Sequence, residues 1–449
     1  MTIAATAGGT RTEEPEVPEG ELALNAPPAI EEGEGVGGIL MNAIPMLGGL
    51  GSIVLIATMQ SGAGGSPPIQ RYIAAGMFLF ATLGFIFVQI DRQRKQKQKQ
   101  VGGQRTDYLR YLAGIRQSAR KAGEQQRKAL TWHYPAPSSL PAIAEERSRL
   151  WERSNTHKRY LDVRYGVAHQ PLALTLVPPQ QTPIDQVDPA SASALHRLLT
   201  VHRVQPDLPA ATNLRGFDKM EICGNEDQAR ALARALICGM TAFHSPEQLI
   251  VAVLTSERNL AEWDWVKWLP HAQSGREVDA VGPRRMVVTN INDLGALLPT
   301  EVGERARWGT DDRIPSPQVV VIVDGGSVPP GNHVLPDDGI QGVTVIDLPT
   351  HWDELFDSSR VRFLIDDEEP DENNTVAGYQ VRVRMDPVRL RVDQMSMADA
   401  EAYARRLTAL HTVAPEGSDA AAETPQDTEI AAPKDYMALL GLGDVRSFD

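Results

Sequence analysis

Residues 319–323 read Val-Val-Val-Ile-Val, with no polar side chain to turn toward water. Three further apolar runs accompany this one: LIVAVL at 249–254, MVV at 286–288 and VTVI at 343–346. Strands that do not alternate are buried on both faces, as in parallel sheets flanked by helices. A helix-like segment before them places Ala229, Leu232, Ala233, Leu236, Ile237 and Met240 on one face. Strand and helix in alternation predict a doubly wound, parallel α/β domain over residues 192–412. A strand at 379–385 and a helix at 398–410 complete it. Ahead of it, YLDVRYGVAHQPLALTL at 160–176 mixes apolar alternation with Gly and Pro. This predicts a small β-rich collar over 132–191. Residues 413–432 are polar, which predicts a linker within 413–449.

The first ninety residues follow different rules. Residues 1–35 are rich in Glu, Pro, Gly and Ala, with too little apolar surface for a core, which predicts a disordered tail. No cationic segment opens them, so they are not a signal peptide. Residues 36–59 contain no charge, and a second apolar run covers 72–90. Each is long enough as a helix to cross about 30 Å of hydrocarbon. Pro45 and the glycines at 48, 49 and 51 suit a membrane helix better than a soluble one. The connector carries Arg71 alone, whereas DRQRKQKQKQ follows the second run. Positive residues beside a span stay inside, so both termini are expected in the cytoplasm. The cation block is also suited to anionic lipid headgroups.

Within the basic stretch 91–131, residues 104–130 bring Tyr108, Leu109, Leu112, Ile115, Ala119 and Ala122 to one helical face, with Arg, Gln and Lys opposite. This predicts a stalk helix that packs on a neighbour, either another chain or the acidic domain beyond it. A partner contact through Leu112 and Ile115 is the favoured reading.

Charge is uneven along the chain. Residues 1–130 hold 14 Lys and Arg against 11 Asp and Glu, which leaves 30 of the 44 cations against 47 of the 58 anions in the remainder. An acidic surface of this kind argues against a duplex DNA partner, because phosphate binding needs clustered cations. The two cysteines, Cys223 and Cys238, provide no disulfide framework and fit a reducing compartment.

EICGNEDQARALARALICGM at 221–240 has the outline of a phosphate-binding turn: strand, glycine, polar residues, apolar helix. Such a loop needs glycines so that backbone N–H groups converge on phosphate, a Lys for the β and γ oxygens, and Ser or Thr for magnesium. Counting from Gly224, those positions hold Ala229, Arg230 and Ala231. Asp324, at the end of the 319–323 run, stands where a magnesium-positioning acid belongs, but Gly325 follows in place of a second acid. Gly224, Ala229, Arg230, Asp324 and Gly325 thus mark a site with the outline of a nucleotide pocket and without its chemistry. No catalytic residue and no metal site is expected.

FHSPEQLIVAVL at 243–254 and EWDWVKWLPHAQ at 262–273 resemble the ATPase modules of the FtsK/SpoIIIE family. Aligned through that stretch, the family's lysine falls on Ala229 and its hydroxyl residue on Arg230. The order apolar hairpin, YLRYLAGIR, RLWERS, VQPDLPAATNLRGF, WDWVKWLPHAQ, VIVDGGSVPPGN more specifically resembles the N-terminal half of the EccC family, membrane-anchored motors of type VII (ESX) secretion. The resemblance covers nearly everything after residue 36. It implies a degenerate P-loop NTPase-type module beside the bacterial plasma membrane, followed in the family by ATP- and magnesium-using domains. DYMALLGLGDVRSFD at 435–449 resembles the segment just before the first of those, so the 449 residues are expected to be part of a longer chain. The resemblance further implies the partners EccB, EccD (with its ubiquitin-like domain near the stalk) and EccE. It implies a hexamer in the full machine, and secreted protein substrates handled by domains outside this chain. No cofactor is expected in this segment.

Three functions follow as expectations. The first is an anchoring and coupling segment for protein export. The second is a working nucleotide-binding ATPase or sensor that uses Arg230 in place of lysine, and the third a relative of DNA translocases. Trp263, Trp265 and Trp268 fit either a docking surface or core packing, and the core is favoured.

Overall fold

The computed structural model describes residues 14–29, 68–180, 186–280, 282–309, 315–366, 375–408 and 410. It divides into two compact units, each assembled from separate stretches of chain rather than at boundaries 132 and 192. Glu13–Pro135 and Val167–Ala210 contribute to the smaller unit; Ala136–Gly166 and the chain from Ala211 contribute to the larger.

In the smaller unit the short strand β1 (Glu21–Ala23) precedes helix α1 (Pro68–His133), which is continuous for 66 residues, about 100 Å at 1.5 Å per residue. The second apolar run and the expected stalk are therefore one helix. Residues 36–59 lie outside the described residues, as do the side chains of 68–79, 81–83 and 86. Among the described residues no helix is long and apolar enough to cross a membrane. Among the described side chains on the second run, Phe80, Phe85, Phe87 and Val88 are exposed, Phe80 to 81%, and Ile90 is partly so. The chain passes from the larger unit to the smaller in β2 (Asp162–Pro171); β3 (Thr175–Val177) then pairs in parallel with β1.

Helix α2 (Pro189–His202) packs on α1 through Leu195 and Leu198 against Tyr108, Leu112 and Ile115, with Leu24 joining the cluster. Leu112 is 2% exposed. The apolar face expected to meet a partner is thus covered by the chain itself, and Leu109, expected on that face, points outward. Asp188 caps α2 at the Ser191 N–H (3.0 Å) and receives the Arg105 guanidinium at 3.0 and 2.6 Å. The Arg105 hydrogen bond, outweighing the opposing effect of burial, holds the Asp188 carboxyl down at about 2.

β4 (Val204–Asn213) leads back into the larger unit, where β5 (Lys219–Cys223), helix α3 (Glu226–Phe243) and β6 (Leu249–Thr255) follow. A hairpin β7 (Gln273–Val278) with β8 (Pro283–Arg285) precedes β9 (Val287–Val288), β10 (Gln318–Asp324) and β11 (Val343–Asp347). Next come β12 (Arg360–Ile365), β13 (Val376–Val381), β14 (Val388–Val392) and helix α4 (Met397–Leu407). The strand order β14-β13-β12-β5-β11-β10-β6-β9 keeps the run from β12 to β9 parallel. All seven residues of β10 are buried: the apolar run 319–323, as it requires, and the polar Gln318 and Asp324 at its ends.

The sheet is not wholly parallel: β13 and β14 are antiparallel additions beyond β12. Residues 379–385 were expected as one strand leading to a helix. Instead the strand ends at Val381 and β14 intervenes before α4. The first half of β2 adds beside β14, where the Asp393 N–H donates to the Tyr165 carbonyl at 3.0 Å and Arg164 grips the Asp393 carboxylate at 2.7 and 3.0 Å. Residues 160–166 of the expected collar thereby belong to the larger unit.

Candidate functional site

β5 and β10 lie two places apart with β11 between them. Their C-terminal ends, which carry Gly224 and Asp324, thus face one crevice, where open α/β sheets bind ligands. Gly224 has φ +120°, and a Cβ there would stand 2.5 Å from the Ile365 carbonyl oxygen. Its glycine is required by the neighbouring β12, independently of any phosphate. Gly325 also needs its positive φ of +72°.

Asn225 opens α3, and its Oδ1 accepts from the Asp227 and Gln228 N–H groups at 3.1 and 3.2 Å. These amides belong to the helix terminus that a phosphate loop would turn toward its ligand, and here a side chain already satisfies them. Asp227 and Glu226 put negative charge in the same first turn. That arrangement stabilises the helix dipole and repels phosphate. The asparagine followed by two acids and an apolar run is a helix-start signal legible in the sequence alone, beside the outline of a phosphate turn.

Arg230 lies one turn further along. Its Nε donates to Asp324 Oδ2 at 2.9 Å and its Nη2 reaches Asp324 Oδ1 at 3.4 Å and Glu226 Oε2 at 3.0 Å. Burial works against the Arg230 charge, but the Asp324 and Glu226 hydrogen bonds and charges more than offset it, and its pKa is raised. Asp324 is further held by Trp263 Nε1 at 2.8 Å and Asn259 Nδ2 at 3.0 Å. Its backbone carbonyl accepts from Thr255 Oγ1 at 3.0 Å. The side chains of Arg230 and Asp324 are 8% and 5% exposed, so this is a buried ion pair with its remaining hydrogen-bonding capacity filled.

The sequence-predicted residues therefore do come together. Gly224, Ala229, Arg230, Asp324 and Gly325 all line one cleft of about 160 Å³. That is below the roughly 300–1,000 Å³ of ligand pockets in general. Arg258, an exposed residue, also lines it. The donor set does not fit ATP and magnesium: the acid is neutralised from within, the amides are capped, and the first helical turn is anionic. Among the described residues no group of His, Cys, Asp and Glu is arranged to hold a metal ion.

Asn259 and Trp263 were not predicted as site residues. Trp263 is fully buried and Trp265 2% exposed, which places both in the core, and Trp263 also orients the acid. Trp268 is half-buried, with the Arg405 guanidinium 4.2 Å from its ring centre.

No family model matches the chain. The ESX secretion system protein EccC of Thermomonospora curvata is 33% identical over 445 residues, 98% of this chain and 32% of that protein. The ESX-1 protein EccCa1 of Mycobacterium tuberculosis is 31% identical over 324 residues, 70% of this chain and 40% of its own length. The ESX-4 protein EccC4 of the same species is 30% identical over 284 residues, 63% of this chain and 22% of that protein. Among solved structures, the cytoplasmic domain of the Thermomonospora curvata type VII secretion ATPase EccC aligns with a TM-score of 0.32 at 13% identity. It covers 62% of this chain and 34% of that one. The chain spans two fifths or less of the length of these curated relatives. With sequence similarity running through nearly its whole length to EccC proteins of several ESX systems, the chain belongs to the EccC family.

Proposed function

We propose that this chain is the membrane-anchoring and coupling portion of a type VII secretion motor subunit, linking ATP-hydrolysing domains beyond it to the export pore. The membrane part of this reading rests on the charge-free residues 36–59, the apolar run 72–90, and the exposed phenylalanines at 80, 85 and 87 on α1. A helix bearing such side chains is at home in lipid. EccB, EccD and EccE as neighbours, a hexamer, the plasma membrane with cytoplasmic termini, and secreted proteins as cargo belong to the same proposal.

One observation carries the coupling role over an enzymatic one: Arg230 and Asp324 neutralise each other where phosphate and magnesium would sit. The domain then transmits force or position as a folded body without turning over nucleotide. The test is calorimetry of the purified chain with ATP and magnesium, alongside a hydrolysis assay. No saturable heat and no hydrolysis above background are expected. Micromolar binding that disappears in Arg258→Ala, with an unchanged thermal midpoint, would replace this reading by a nucleotide sensor.

A further inference from the structure

β11 and β12 lie on either side of β5, so the chain between them must cross over that strand. Parallel crossovers ordinarily run through a helix that covers the sheet. Here residues 348–359, LPTHWDELFDSS, contain no helix. The sheet face beneath is correspondingly charged. The register places Arg362 beside Glu221 and Glu221 beside Asp347 on adjacent strands. Glu221 Oε2 receives Arg362 at 2.8 and 2.6 Å, Arg362 Nη1 donates to the Asp353 carbonyl at 2.6 Å, and Lys219 Nζ stands 3.5 Å from Asp347.

Between this row and the crossover runs a cleft of about 1040 Å³, much larger than the nucleotide-like cleft. At its rim Trp352 is 41% and Phe356 77% exposed. Single exposed apolar residues need no explanation, but two large aromatic rings four residues apart beside a cleft mark an interaction surface. The lining carboxylates outnumber the cations, and the unpaired charge around the rings is negative. Arg362 is committed to Glu221, and Arg360 lies 3.7 Å from Asp357. Among the described residues Asp353 and Glu354, both exposed, have no cation paired with their carboxylates.

We propose that this cleft docks a cationic peptide segment of a partner protein, with a Lys or Arg over the Trp352 face and against Asp353 and Glu354, and an aliphatic neighbour on Phe356. An ammonium or guanidinium gains from the ring and the carboxylates together. The same charge repels nucleic acid and anionic lipid headgroups. This inference stands whether or not the Arg230 cleft binds nucleotide.

The probe is a labelled peptide of alternating Arg and Leu, compared with its Glu/Leu counterpart, by fluorescence anisotropy on the purified chain. The Arg/Leu peptide is expected to bind, more weakly as salt rises, and the Glu/Leu peptide not to bind. Trp352→Ala with Phe356→Ala, and separately Asp353→Asn with Glu354→Gln, should each weaken binding by about tenfold or more. Because these four side chains are exposed, the thermal midpoint should not move. Equal binding of the two peptides, or unchanged affinity in both double variants, would overturn the proposal. Self-association of the chain that is lost in the same variants would also overturn it, by placing a second copy in the cleft.

Discussion

Asp324→Ala removes an acceptor shared by three side chains, of which Arg230 and Trp263 are buried and Asn259 partly so. Trp263 Nε1, now 2.8 Å from the carboxylate in a fully buried ring, would lose its acceptor. A buried donor left without one costs about 1–3 kcal/mol. Arg230 would keep Glu226 at 3.0 Å, which is half exposed, and lose its buried counter-charge. Breaking a buried pair costs about 3–5 kcal/mol. The two penalties overlap, so the expected total is about 3–5 kcal/mol, and not their sum. For a unit of this size each kcal/mol moves the midpoint by about 2–4 °C, which predicts a fall of about 6–20 °C.

Scanning calorimetry of the purified chain measures it, with hydrogen exchange at β10 and β6 assigning the transition to the larger unit. Arg230→Met with Asp324→Leu, which removes both charges, should recover the part of the loss that comes from the unpaired Arg230, while the Trp263 donor stays without its acceptor. A midpoint that stays within about 2 °C of wild type, or rises, would refute the reasoning. An acid retained for metal chemistry is a local cost to the fold, and its removal is neutral or stabilising.

Two further outcomes follow from the packing. Burial pushes the imidazole of His244 down to about 3 and that of His271 to about 4, below an unfolded value of about 6.5. Both are neutral in the fold, and His244 Nε2 accepts the Leu161 N–H at 2.9 Å. Below pH of about 6.5 the unfolded chain binds protons that the fold refuses, so stability should be full above that pH and fall steadily toward pH of about 4. A thermal midpoint that stays flat between pH 7 and 4 would contradict the neutral assignment. In the smaller unit Leu112→Ala should cost about 2–5 kcal/mol and raise hydrogen exchange in α1 and α2 together. Unchanged exchange with loss of a co-purifying protein would return this face to a partner.

Much of the larger unit was legible because strands buried on both faces are built mostly of consecutive apolar residues. The runs at 249–254, 319–323 and 343–346 all became strands of the parallel sheet. β12 and β14 were not anticipated. Arg360, Arg362, Arg389 and Arg391 interrupt their apolar residues, and only the neighbouring strands supply the Glu221 carboxylate and the hydrogen-bond ladder that accommodate them. The stalk shows the same division. Helical spacing established an apolar face on α1, but an apolar face does not specify its cover, and α2, eighty residues along the chain, supplied it.

At the candidate site the sequence alone determined that the lysine and the loop glycines of a phosphate site are missing, because that is a matter of residue identity and spacing. It also placed Asp324 at a strand end. Tertiary structure alone decided what became of the acid. Arg230 and Asp324 are separated by 94 residues, and they pair because β5 and β10 are held two strands apart with their C-terminal ends side by side. Trp263 and Asn259 reach the same carboxylate through the chain that follows β6. Local sequence sets which groups a turn offers; which of them meet, and whether a buried charge is answered from within the chain, depends on strand order and burial.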